Sequence, residues 1–157
     1  MASSSRRGGM ANLEIRRAAR RIKNFVGVFP ANQNPLTLIK SFPCSFIMNS
    51  QPVSSHSGHW LAFYIISSTR LEFFDSLSQP LIHYPLVASY FSHFSSILSN
   101  TSLLLQSPIS SLCGEYCITF LYLRTIHHLS FSHIIKLLHK KAHSRDSFVS
   151  RFRLLNK

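Results

Sequence analysis

His59, Asp75, Gln106 and Cys113 are the residues of this chain whose types, order and spacing suit one chemistry, the attack of a thiol on a peptide carbonyl. A thiol attacks only as the thiolate, and the N-terminus of a helix supplies partial positive charge that favours that form. Cys113 stands where a Ser- and Pro-rich turn enters an apolar run, which predicts it in the first turn of a helix. Gly114 follows it, and a glycine there is expected to leave room for a substrate backbone to approach.

The thiolate also needs a base beside it, and the base needs an acid to orient it. From His59 to Asp75 the chain has the length of one strand, a tight turn and the returning strand, so two antiparallel strands can bring these residues together. Acyl transfer further requires donors aimed at the developing oxyanion. Gln106, a short step before Cys113, is expected to close a strand and supply its side-chain amide for that purpose. Each residue alone has an ordinary reading as core, turn or surface. Cys113 and Cys117 with some of His127, His128 and His133 can instead hold zinc, but the chain has no CxxC pair. Cys44 and Cys117 read as buried core thiols. The joint order, with every member at the end of an expected element, favours a cysteine peptidase.

These positions imply the elements that must carry them. Residues 60–66 (WLAFYII) form an apolar, aromatic and β-branched run, residues 67–69 a turn, and residues 71–74 (LEFF) a second run, which predicts a hairpin of central antiparallel strands. Residues 42–49 predict another short buried strand. Helical spacing of Ile15, Ala18, Ala19, Ile22, Phe25 and Val26 predicts a basic amphipathic helix from Asn12. The spacing of Leu86, Tyr90, Phe94, Ile97 and Leu98 predicts a helix over residues 85–99, and residues 103–105 a short strand ending at Gln106. Residues 113–127, apolar nearly all round, predict a buried helix, and a basic helix should follow from Ser130. The fold class is therefore α+β, a small mixed or antiparallel central sheet flanked by helices. Residues 1–11 read as a flexible tail and 12–157 as one domain with basic helical segments at both ends.

The chain has 157 residues, 45% hydrophobic and 14% charged, enough for one domain with a real core. It lacks an apolar run of membrane-spanning length and an apolar leader, which predicts a soluble protein that is neither membrane-bound nor secreted. Three cysteines suit free thiols in a reducing compartment better than a disulfide framework. The net charge of +12 is concentrated at the ends. Residues 1–23 and residues 130–157 each carry seven Lys/Arg against one acid (Glu14 and Asp146), whereas Lys40, Arg70 and Arg124 balance Glu72, Asp75 and Glu115 in a neutral body. Two cationic ends on a neutral body predict a polyanion partner, most simply DNA or RNA.

The segments GHWLAF (Gly58 to Phe63), EFFDSL (Glu72 to Leu77) and QSPISSLCGEYC (Gln106 to Cys117) resemble the motifs of the adenovirus endopeptidase (adenain) family of cysteine proteases. The resemblance takes in FVGVFPANQNP (Phe25 to Pro35) and the strand around Cys44. Similar enzymes occur in adenovirus-like viruses and virus-like DNA transposons. It implies an adenain-like α+β peptidase fold with His59 as general base, Asp75 its orienting partner, Cys113 the nucleophile and Gln106 the oxyanion donor. It implies no metal or organic cofactor, cleavage of viral precursor proteins at Gly-containing sites during particle maturation, stimulation by DNA and an activating viral peptide, and a location in the virion and host cell nucleus. The acid is Asp where adenoviral enzymes have Glu, a feature similar to SUMO-deconjugating peptidases, and the cysteine that pairs with the activating peptide has no counterpart. A peptidase for ubiquitin-like modifiers and a non-catalytic nucleic-acid-binding protein on a peptidase fold are the alternative expectations. Arg6, Arg7, Gly8, Gly9 and Met10 resemble a Gly-Gly cleavage site, as for self-processing.

Overall fold

The computed structural model describes residues 9–52, 58–101 and 104–154. Five strands form one sheet in the order β1-β2-β3-β4-β5: β1 (Phe25–Phe29), β2 (Cys44–Asn49), β3 (Trp60–Ser67), β4 (Arg70–Phe74) and β5 (Ser96–Ser99). The expected hairpin is present, since β3 and β4 are antiparallel with Ala62 opposite Phe74. β2 is antiparallel to β3, whereas the outer strands β1 and β5 run parallel to their neighbours. The architecture is α+β.

Strand alternation explains how so apolar a sheet is covered on both faces. Phe46 and Met48 of β2, Leu61, Phe63 and Ile65 of β3, and Leu71 and Phe73 of β4 point to one face. There they meet Phe91 and Phe94 from the segment that holds the short helix α2 (Pro85–Ala88). Phe63 and Phe91 stack with centroids 4.8 Å apart. Ile47, Ala62 and Phe74 point to the other face, against helices α1 (Asn12–Ala18), α3 (Cys113–Thr125) and α4 (Phe131–Lys140) and Val149 of α5 (Arg145–Ser150).

Helix α3 lies in the middle of that second layer, which is why its sequence has no polar face; the residues from Cys113 to Leu121 are all buried. Phe120 stacks on Phe74 at 4.7 Å and 3°. Arg124 completes the docking, with Nε 2.8 Å from Glu72 Oε1 of β4 and its guanidinium 4.4 Å above the Tyr64 ring. Phe120 and Arg124 thereby dock the C-terminal half of α3 on the sheet, and Cys113 at the other end is delivered to one rim of the sheet.

Three expected elements differ. The basic helix ends early: α1 passes into a 3-10 turn at Ala19–Arg21, and Phe25 and Val26 belong to β1, because Asn24 takes a left-handed φ of 58° that breaks the helix. Residues 85–99 are not one helix. Only α2 and a 3-10 turn (Ser89–Phe91) form, and Ser96–Ser99 becomes β5, satisfying backbone groups along the edge of β4. Leu104 and Leu105 are not in a strand; Leu105 instead donates its N–H to the Ser76 carbonyl, and Leu103 lies outside the described residues. Residues 1–8 of the expected tail also lie outside them, while Met10 near its end is buried. Among the described residues no helix is long and apolar enough to cross a membrane.

Candidate active site

The sheet brings His59 to the rim where β2 ends, β3 begins and β4 ends. His59 is locked there by its backbone: its N–H donates to Ser50 Oγ at 2.9 Å and its carbonyl accepts from Ser50 N at 2.8 Å. Gly58 before it lies against the Asn49 side chain: a Cβ at that position would be 2.0 Å from Asn49 Oδ1, so a larger residue makes one of the two shift. The imidazole Nε2 is 2.5 Å from Oδ1 of Asp75, which sits one residue past β4 with no exposed surface.

Asp75 is held from every side. Its Oδ1 also accepts from Leu77 N at 2.9 Å, and its Oδ2 accepts from Tyr84 OH at 2.6 Å and Gln79 N at 3.2 Å. Its backbone is held by Asn100, whose Oδ1 accepts from Asp75 N and whose Nδ2 donates to the Asp75 carbonyl. The parallel register of β5, with Ser99 level with Phe73, is what puts Asn100 there. Both oxygens of this buried carboxylate therefore have their hydrogen-bond partners, as buried polar groups require.

His59 and Cys113 line the same cleft, and Cys113 joins Asp75 in raising the imidazole pKa. With Nε2 committed to Asp75, Nδ1 is the nitrogen left to face the thiol. Burial pulls the imidazole pKa down, yet the hydrogen bonds and charges of Asp75 and Cys113 outweigh it and push the value up to about 9. A protonated imidazole and a helix N-terminus are the surroundings that favour a reactive thiol, and Cys113 opens the 13-residue helix α3. The other two thiols are unsuited to this. Burial pushes Cys44 up to about 11 and Cys117 well above its ordinary value.

Gln106 shares a cleft of about 740 Å³ with His59, Trp60 and Cys113. Its Oε1 accepts from Ser76 Oγ at 2.5 Å, and its Nε2 donates one hydrogen to the Ser110 carbonyl at 2.6 Å. A primary amide has a second N–H to offer. All four residues singled out by sequence therefore meet at one site.

One expectation about the substrate's surroundings needs correction. The space over Gly114 is not open: a Cβ there would lie 3.0 Å from the Cβ of Met10, so the chain's own N-terminal segment fills it. The indole of Trp60 is likewise engaged, its Nε1–H donating to the Met10 carbonyl at 2.9 Å. Of the Gly-Gly-like stretch, Gly9 and Met10 line the cleft, while Arg6, Arg7 and Gly8 lie outside the described residues. Sequence reasoning missed Ser76, Tyr84, Asn100 and Met10. Only Ser76, adjacent to Asp75, carried any local signal.

The fold is an α+β architecture that a viral cysteine protease also has. The crystal structure of the ASFV pS273R protease matches with a TM-score of 0.53 and 18% sequence identity, over 93% of this chain and 66% of that protein's chain. No protein-family model matches the sequence, and no curated protein matches it.

Proposed function

We propose that the protein is a cysteine endopeptidase in which Cys113 is the nucleophile, His59 the general acid and base, Asp75 the residue that orients and charges His59, and Gln106 the oxyanion donor. The observation that carries this is the His59 imidazole, bonded to Asp75 at 2.5 Å and sharing one cleft with Cys113 and Gln106. The likeness to a viral protease supports the same fold-level reading.

The reaction runs as follows. The Cys113 thiolate adds to the scissile carbonyl carbon, and the oxygen takes the negative charge. The free N–H of Gln106 and the Cys113 backbone N–H stabilise that oxygen. His59 gives its proton to the departing amine, the C–N bond breaks and a thioester remains. Water, losing a proton to the now neutral His59, adds to the thioester and releases the acid and the thiolate.

The substrates proposed are precursor proteins of a virus or virus-like element, cut at glycine-containing sites during particle maturation, in the virion and host cell nucleus. DNA is proposed as a stimulating partner. The two basic ends meet in space, since Arg153 near the C-terminus pairs with Glu14 of α1, so Arg20, Arg21 and Arg151, all exposed, belong to neighbouring segments. Labelling with a thiol-directed peptide probe ending in Gly-Gly, in parent, Cys113→Ala and His59→Ala proteins, tests the chemistry. Label on Cys113 that is lost without His59 is the expected result; label independent of His59 sinks the assignment. Turnover of modifier conjugates in preference to a precursor peptide would move the substrate to ubiquitin-like modifiers. Salt-sensitive DNA binding with no turnover of any substrate would make the chain a non-catalytic binder.

A further inference from the structure

We propose that Gly9–Asn12 is an intramolecular strap that occupies a peptide's place beside the nucleophile and must lift before a substrate reaches Cys113. This rests on the peptidase reading and adds regulation to the same site. All four strap residues line the cleft that contains His59, Gln106 and Cys113. Met10 is only 3% exposed although both its neighbours, Gly9 and Ala11, are exposed, so one side chain is inserted from a surface segment. It rests on Gly114, directly after the nucleophile, and its carbonyl takes the Trp60 indole N–H. A peptide lying along the nucleophile would use the same two features, a backbone hydrogen-bond donor and a surface without a side chain. At Gly9 the fit is closer still: a Cβ would lie 2.9 Å from the Ser111 carbonyl oxygen, so only glycine passes this point on the loop leading to Cys113.

The strap is latched to the catalytic helix from outside the cleft. Ala11 starts α1, with its N–H on Glu14 Oε1 at 3.3 Å and its carbonyl accepting from Ile15 N at 3.0 Å. Arg153 then bridges Glu14 at 2.8 Å and Glu115 at 3.3 Å, and Glu115 is the second residue after Cys113. Glu115 has no exposed surface and its Oε2 has no partner, so Arg153 is committed to it; the Glu14 side chain is 42% exposed. The weak link is therefore Arg153 to Glu14, an ion pair that salt or a competing anion can open without uncovering Glu115.

The test uses the full chain with Glu14→Gln, which keeps an oxygen to cap Ala11 but weakens the latch, and Met10→Gly, which removes the plug. Trp60 is the sole tryptophan, so its fluorescence reports strap contact independently of catalysis. Acrylamide quenching of Trp60 should increase in both variants, and labelling of Cys113 by a Gly-Gly peptide probe should accelerate by about 1.5- to 5-fold in Glu14→Gln, the population shift that one weakened surface latch allows, and at least as much in Met10→Gly. Alkylation by iodoacetamide, too small to need the groove, should change little. Unchanged quenching in both variants overturns the strap, and so does increased quenching with slower peptide labelling, which would make the segment a wall that substrates need. If Cys113 resists iodoacetamide in every variant, the peptidase reading fails first and the strap loses its role with it.

Discussion

The hydroxyl of Ser76 holds the side-chain oxygen of Gln106 at 2.5 Å, and Ser76 directly follows Asp75. Two consecutive residues at the end of β4 thus set both flanks of the site, one fixing His59 and the next fixing the amide expected to meet the oxyanion. The Ser76 carbonyl adds to this by accepting from the backbone N–H of both Leu105 and Gln106.

Replacing Ser76 with Ala should leave the fold intact and free the Gln106 amide to rotate. Misplacing one oxyanion donor costs about 10- to 100-fold in kcat. Steady-state kinetics on a peptide substrate should show the loss in kcat rather than KM, with an unchanged far-ultraviolet spectrum. A kcat within twofold of the parent would mean that the remaining bond from Gln106 Nε2 to the Ser110 carbonyl holds the amide by itself and that Ser76 sets nothing.

The titration of His59 should be visible in solution. Its folded-state pKa, about 9, lies above the ordinary 6.5. The His59 interactions therefore contribute their full stability below pH 6.5, and that contribution is lost as the pH rises through 9. Urea unfolding across this window should show a declining midpoint, and the imidazole resonance should titrate near its upper end. Peptide cleavage should fall there too, since the leaving amine loses its proton donor. In Asp75→Asn the burial contribution remains while the main opposing partner is gone, so the resonance should move down by more than a unit; an unmoved resonance contradicts this account.

Tyr84 donates to the Asp75 oxygen that His59 does not use. In Tyr84→Phe that oxygen keeps only the longer bond from Gln79. Loss of a hydrogen bond to a charged group should cost about 1.5–3 kcal/mol of stability, measurable by denaturant titration. A variant as stable as the parent would mean that the carboxylate finds water or another donor at no cost.

Gly58→Ala should be far more damaging than an exposed glycine position suggests. The added methyl would lie against the Asn49 side chain at 2.0 Å, and Asn49 itself accepts from Gln51 N. Either Asn49 turns away or the start of β3 shifts, and the second option moves His59. A loss of about 1–3 kcal/mol is expected from overpacking, with reduced labelling of Cys113. Pairing the change with Asn49→Ala should restore both if the clash is the cause.

Phe120→Ala tests the platform beneath the nucleophile. The ring is fully buried on Phe74 and against Phe131, so its loss should cost about 3–5 kcal/mol and lower the melting temperature. Cys113 labelling should slow much less than stability falls, because the removed ring lies two turns along α3 from the thiol.

The expectations that held rest on signals contained in short stretches. The continuous apolar, aromatic and β-branched run of residues 60–66 announces a strand, the apolar character of residues 113–127 nearly all round announces a buried helix, and the polar residues around these runs mark the breaks where His59, Asp75, Gln106 and Cys113 fall. The helix over residues 85–99 failed for a reason outside that stretch. Its apolar spacing suits a helix, but the open edge of β4 offers Ser96–Ser99 a row of backbone partners, and pairing there outweighs local preference.

Residue identity and local pattern alone determined which side chains have the types this chemistry needs and that His59, Asp75 and Cys113 stand at the ends of elements, because both follow from properties of neighbouring residues. Tertiary structure alone decided that Asn100 braces Asp75 from 25 residues away, that Ser76 holds Gln106 across 30, and that Arg153, which also meets Glu115 of α3, pairs with Glu14 across 139. It also placed Met10 on the glycine beside the nucleophile. Such contacts depend on which distant surfaces remain uncovered once the sheet and α3 have packed, and no stretch of sequence encodes that by itself.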